Sequence, residues 1–169
     1  IELNAVQRAN PEMQKRVANV IRSLSESGDN PIVSIHDHGA GGHLNCLSEL
    51  VEDTGGVINL DKLPSGDPTL SARELVGNES QERMGLLVRE EDLARIKEIA
   101  DREKAPFYVV GETTGDMQLV FEHENGEKAI DMTLEDFFDK SPKTVMVDNS
   151  VEESYSAPEY NINNLEEYL

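Results

Sequence analysis

Two stretches of this chain concentrate the groups from which a binding site is made. The first is Asp37-His38-Gly39-Ala40-Gly41-Gly42, which follows the β-branched run Ile32-Val33-Ser34-Ile35 and precedes a helical pattern. A strand that ends in Gly-x-Gly-Gly and feeds a helix leaves backbone N–H groups beside the positive end of the helix dipole, which suits phosphate or another anion. The same turn also arises where the backbone needs a positive φ or a close approach. The second stretch is Asn78-Glu79-Ser80-Gln81-Glu82-Arg83, six consecutive hydrogen-bonding side chains ahead of the apolar run Met84–Val88. Arg83 is suited to clamp an anion and Glu79 to accept hydrogen bonds or ligate a metal. The alternative is a solvated loop with Arg83 in a surface ion pair.

His36, Asp37, His38, His43 and Cys46 place five potential metal ligands close together. Strand alternation puts His36 and His38 on one face, but zinc needs three or four converging ligands, and no second cluster or recognised ligand spacing supplies them. The alternative is a set of polar residues at a strand end. Cys46 and His43 also form an i,i+3 pair on a helix, without the orienting carboxylate that a cysteine nucleophile requires. Cys46 sits within an apolar stripe, where a packed core thiol is expected.

The elements that must position these groups follow from periodicity. Asn10-Pro11-Glu12 reads as an N-cap, a proline at the first helical position and an acid in the first turn, and helical spacing from Met13 to Leu24 predicts a helix over 11–26. Ile32 to Ile35 reads as a buried strand, and Leu44, Leu47, Leu50 and Val51 make a second helical stripe closed by Thr54-Gly55-Gly56. Val57 to Leu60 reads as a short strand, Asp61 to Leu70 as a loop, and Ser71 to Val76 as a helical turn. Arg83 to Val88 reads as another buried strand, followed by a helix opened by Glu90-Glu91-Asp92. Phe107 to Val110 and Met117 to Phe121 read as two strands joined by a Thr-Thr-Gly turn, a hairpin or near it. Asn125-Gly126 marks a tight turn before a strand at Lys128 to Met132 and a helix at Leu134 to Phe138. Irregular alternation of helices and strands predicts a mixed-sheet α/β (α+β) domain with flanking helices.

The chain has 169 residues, enough for one ordinary core, and residues 148–169 hold six acids and no lysine or arginine. We therefore expect one domain over 1–147 and an acidic linker or arm over 148–169. A net charge of −19 argues against duplex nucleic acid and anionic membrane surfaces as partners. It leaves an anionic small molecule open, because N–H groups and a few arginines create a local positive spot. No apolar run reaches the roughly 20 residues of a membrane span. The single cysteine excludes an internal disulfide and fits a reducing cytoplasmic setting.

Several ordered blocks carry a resemblance. Gln7-Arg8-x-Asn10-Pro11-Glu12-Met13, Ile35-His36-Asp37-x-Gly39-Ala40-Gly41-Gly42, Glu49-Leu50-Val51, Asn78-Glu79-Ser80-Gln81-Glu82-Arg83, and Glu103-x-Ala105-Pro106-Phe107 with Val110-Gly111-Glu112-x-Thr114 stand in that order. This order resembles the phosphoribosylformylglycinamidine synthase family, over roughly residues 5 to 147. The resemblance implies a C-terminal domain of the aminoimidazole ribonucleotide synthetase superfamily, in its first copy within a long parent chain. The family enzyme converts formylglycinamide ribonucleotide, ATP and glutamine to formylglycinamidine ribonucleotide, ADP, phosphate and glutamate, by way of a phosphorylated imidate that ammonia attacks. By the same resemblance, Asp37, Gly39, Ala40, Gly41, Gly42, Glu79, Ser80 and Arg83 form a substrate-binding wall, with no catalytic residue in this piece. ATP and magnesium are expected to bind mainly outside it, on an ATP-binding partner domain, with a glutaminase domain elsewhere in the parent chain. The piece alone is expected to be inactive, cytoplasmic, and open to forming a homodimer. One departure stands out: His43-Leu44-Asn45-Cys46 occupies the place where Leu-Ser-Asn-Ala is expected, which puts an imidazole at the helix start as a ligand contact or a change in packing. A non-catalytic anion-binding or scaffold module is the alternative function.

Overall fold

Asn10 opens the first helix as its sequence requires. Its side-chain oxygen accepts the Met13 N–H at 3.1 Å, Pro11 takes the first helical position, and α1 runs Pro11–Ser25 with Val20 and Leu24 buried. The computed structural model describes residues 6–7, 10–139, 143–159 and 166; Arg8 of the first block, tail residues such as Glu167, and the side chain of Ser80 lie outside the described residues. After a two-residue strand, β1 (Val6–Gln7), and α1, the order is β2 (Ile32–Asp37), α2 (Gly42–Leu50), β3 (Gly56–Asn59), α3 (Ala72–Val76), β4 (Glu79–Ser80) and β5 (Met84–Val88). Then come α4 (Leu93–Arg102), β6 (Gly111–Thr113), β7 (Gln118–Glu122), β8 (Lys128–Thr133) and α5 (Leu134–Phe138). Single 3-10 turns at Leu60–Lys62 and Glu90–Asp92 lead out of β3 and into α4.

Among the described residues, three small sheets carry the strands. β1 and β4 pair in parallel, β2 and β5 pair antiparallel, and the four-stranded sheet has the order β6-β3-β7-β8. In that sheet β3 lies parallel to β7 and antiparallel to β6, so the architecture is α+β with mixed sheets and flanking helices. The main core lies between α2 and the four-stranded sheet, where Cys46, Leu50, Ile58, Leu119 and Phe121 meet. A smaller cluster joins α1 to α4 through Val20, Leu24, Ile96 and Ala100.

Three expectations need correction. Phe107 to Val110 joins no ladder, and the anticipated hairpin does not form, because β3 lies between β6 and β7. The reason is visible in the backbone: Thr114 donates to Gly55 O and Met117 to Thr54 O, both at 3.1 Å, so the Thr54-Gly55 segment enters between the two arms. The strand after α1 extends to Asp37 and is covered on one face only, leaving Val33 61% and Ile35 37% exposed; it is not a buried strand. β5 begins at Met84, which leaves Arg83 in the connection ahead of it.

The chain divides into two compact units, residues 1–139 and 140–169. In the second unit, residues 143–159 hold no helix or strand.

Candidate functional site

Gly42 is the hinge on which the two chemistry-bearing stretches meet. Its φ is +60°, and a Cβ there would lie 2.4 Å from the carbonyl oxygen of Asn78, so only glycine lets the start of α2 lie against the backbone ahead of β4. Gly41, at φ +85°, donates its N–H across this contact to Glu79 Oε1 at 3.1 Å. Asp37 Oδ1 accepts the Gly39 N–H at 2.7 Å, an Asx-type turn, and the Gly42 N–H goes to Gly39 O at 3.2 Å. The turn is therefore preorganised by its own groups. The Gly41 N–H is already occupied by the Glu79 carboxylate.

A second connection runs through the histidines. The His38 backbone N–H donates to Arg83 O at 3.3 Å, His38 Nε2 lies 3.0 Å from His43 Nδ1, and His43 Nε2 lies 2.9 Å from an Arg83 Nη. The two rings meet edge to face at 87° and are 5% and 2% exposed. Burial pushes the His43 pKa down to about 3, with the neighbouring His38 and Arg83 adding to the effect. Burial also lowers His38 to about 4, Arg83 contributing, while the Arg83 carbonyl and Asp37 pull the other way. Both rings are neutral at pH 7. An arginine only donates, so His43 Nε2 must accept; His43 then carries its proton on Nδ1 and donates to His38 Nε2. His38 in turn carries its proton on Nδ1, which has no hydrogen-bond partner among the described residues.

Arg83 is half-buried, and desolvation lowers its pKa while nearby Tyr108 raises it. Among the described residues no carboxylate pairs with it, and its one side-chain hydrogen bond is to a neutral ring. The alternative of a surface ion pair at Arg83 is not formed among the described residues, where no carboxylate offsets its charge.

The metal reading does not assemble. β2 ends at Asp37, so strand alternation does not carry on to His38; His36 Nδ1 instead meets Glu49 Oε2 of α2 at 2.8 Å, while His38 turns into the interior. Among the described residues no group of three His, Cys, Asp or Glu side chains converges as a metal site. Cys46 is fully buried, donates to His36 O at 3.4 Å, and its thiol is pushed up to about 12 by burial, which makes it a core residue and not a nucleophile. The sequence pointed to Asp37, the glycines, Glu79 and Arg83. It did not disclose the pairing of His38 with His43, for which the only signal was an imidazole at the helix start.

Residues 1–124 match the family described as AIR synthase related protein, C-terminal domain. A phosphoribosylformylglycinamidine synthase of Dictyostelium discoideum is 41% identical over 154 residues, covering 88% of this chain and 11% of that protein. Among solved structures, phosphoribosylformylglycinamidine synthase II of Thermotoga maritima is 25% identical with a TM-score of 0.74, over 88% of this chain and 25% of its own. T. maritima PurL complexed with ADP matches at 25% identity and a TM-score of 0.75, over the same shares of the two chains. The chain thus spans about a tenth of the Dictyostelium protein and a quarter of the T. maritima ones. No helix among the described residues is long and apolar enough to cross a membrane. The family match extends over the α1-to-β7 framework and both stretches of the candidate site, and on that ground the chain belongs to the AIR synthase related family as its C-terminal domain.

Proposed function

We propose that this chain is one domain of a cytoplasmic formylglycinamide ribonucleotide amidotransferase and forms a wall of its synthetase site. The observation that carries the reading is the joining of Asp37–Gly42 to Asn78–Arg83 around an arginine that has no counter-ion among the described residues. In this reading Arg83 binds an anionic oxygen of the phosphorylated ribonucleotide, Gly41 and Gly42 give the ligand close access to backbone, and Asp37, Gly39, Ala40, Glu79 and Ser80 complete the wall. ATP and magnesium bind mainly on other domains of the parent chain, ATP driving phosphorylation of the amide oxygen before ammonia from the glutaminase domain attacks. Charge compensation and exclusion of water are what this wall supplies to that step.

Two measurements test the reading. The 169-residue chain alone is expected to show no ATP-dependent turnover, and the full-length protein is expected to lose synthetase activity when Gly41 and Gly42 are both replaced by valine. Full activity in that double variant, with the protein folded, overturns the role of the loop. A non-catalytic anion-binding or scaffold module is the second reading, and the internal use of the Gly39, Gly41 and Gly42 N–H groups favours its scaffold form. Ligand binding by a full-length protein that lacks turnover would select it.

A further inference from the structure

We propose that His43 and His38 are positioning residues that hold the Arg83 guanidinium in place while leaving its charge uncompensated for an anionic oxygen of the ligand. The proposal rests on the reading of Arg83 as the anion-binding group of this wall. Three elements converge to build the relay: His38 follows β2, His43 lies in the first turn of α2, and Arg83 precedes β5. The direction of every hydrogen bond in it is fixed by chemistry, from Arg83 to His43 and from His43 to His38. A carboxylate in the place of His43 would anchor the guanidinium equally well and would cancel its charge. A neutral imidazole anchors one Nη and leaves the cation intact.

The remaining donors of the fork, Nε and the second Nη, bond to no described residue. Two parallel donors of that kind match two oxygens of a phosphate or carboxylate. Desolvation makes the arrangement productive, because a half-buried cation interacts more strongly with an incoming anion than a solvated one. The edge-to-face packing of the rings, with centroids 4.8 Å apart, leaves little room for His43 to turn and release the arginine.

The test uses the full-length protein that carries this domain, with the phosphorylated ribonucleotide varied at saturating ATP and glutamine. His43→Leu and His43→Asn, neither of which presents an acceptor at the Nε2 position, are expected to raise KM about tenfold with kcat within about twofold. His43→Gln, whose amide oxygen keeps an acceptor toward Arg83, is expected to stay within about threefold of the parent KM. Arg83→Met is expected to raise KM at least as far, and adding His43→Leu to it to change nothing more. A raised KM in Arg83→Met beside an unchanged KM in folded His43→Leu or His43→Asn overturns the positioning role alone. An unchanged KM in Arg83→Met overturns the reading of Arg83 and the proposal with it. If neither relay-breaking variant folds, His43→Gln decides: a KM as high as that of Arg83→Met overturns the proposal.

Discussion

His38 and His43 are five residues apart in sequence and 3.0 Å apart between ring nitrogens, and the interior keeps both neutral. Their folded pKa values, about 4 and about 3, lie below the 6.5 of a free imidazole, so between those limits the unfolded chain binds more protons than the folded one. Stability therefore falls as pH is lowered from 6.5, by on the order of 1 kcal/mol per pH unit for each ring, and the loss ends only below the folded pKa values. Urea unfolding of the 169-residue chain at pH 7.5, 6.5 and 5.5 should show this decline, above the range in which most carboxylates titrate, and His43→Leu should make it shallower. Equal stability at the three pH values would show that the rings gain protons without disturbing their packing. At this scale residue types were legible in the sequence: the glycine turn, Glu79, Arg83 and the cluster of histidines all carry visible chemistry. Their partners were not. The His38–His43 contact depends on β2 stopping at Asp37, and the Gly41 N–H is taken by a carboxylate 38 residues further on, which no local pattern records.

The junction of α2 with the backbone ahead of β4 turns on one missing methyl group. Gly42→Ala places a Cβ 2.4 Å from Asn78 O at a φ of +60°, and the obstacle is backbone that cannot rotate away. We expect a loss of roughly 2–4 kcal/mol. Gly28→Ala meets nothing within 4 Å and is expected to change stability by no more than about 0.5 kcal/mol. Urea midpoints of the two variants against the parent chain check both values, and a Gly42→Ala protein as stable as Gly28→Ala would refute the close approach. Gly85 shows the same logic in the core, since a Cβ there would lie 2.5 Å from Cys46 Sγ of α2. Helix starts were the most legible elements, because Asn10 and Ser71 cap with their own side chains, the latter in a full capping box with Glu74. Strand partners were the least legible. Phe107 to Val110 is apolar enough for a strand, yet the ladder position beside β3 goes to Gly111–Thr113, whose own sequence carries little strand signal. The pairing is decided by where Thr54-Gly55 enters the sheet, a tertiary fact.

Taken whole, the molecule sets a large like-sign charge against an uncovered apolar face. The net charge is −19, and the outer side of the β2–β5 pair carries Val33, Ile35 and Met84 at 61%, 37% and 43% exposure. Charge of that size keeps copies apart when the Debye length is long, at roughly 20 mM salt. At about 0.3 M salt the repulsion is screened within a few ångströms, while apolar association is not weakened. The isolated chain is therefore expected to be monomeric at low ionic strength and to self-associate through this sheet face as salt rises. The order matters, because an association driven by ion pairs would weaken with salt instead. Sedimentation velocity at the two ionic strengths distinguishes them. Val33→Lys with Ile35→Lys, both on the open side of β2, should return the chain to monomer at high salt without lowering its stability by more than about 1 kcal/mol. Association that persists in this double variant would move the contact to another face, and a chain monomeric at both salt concentrations would show that the exposed apolar area is too small to hold two copies together.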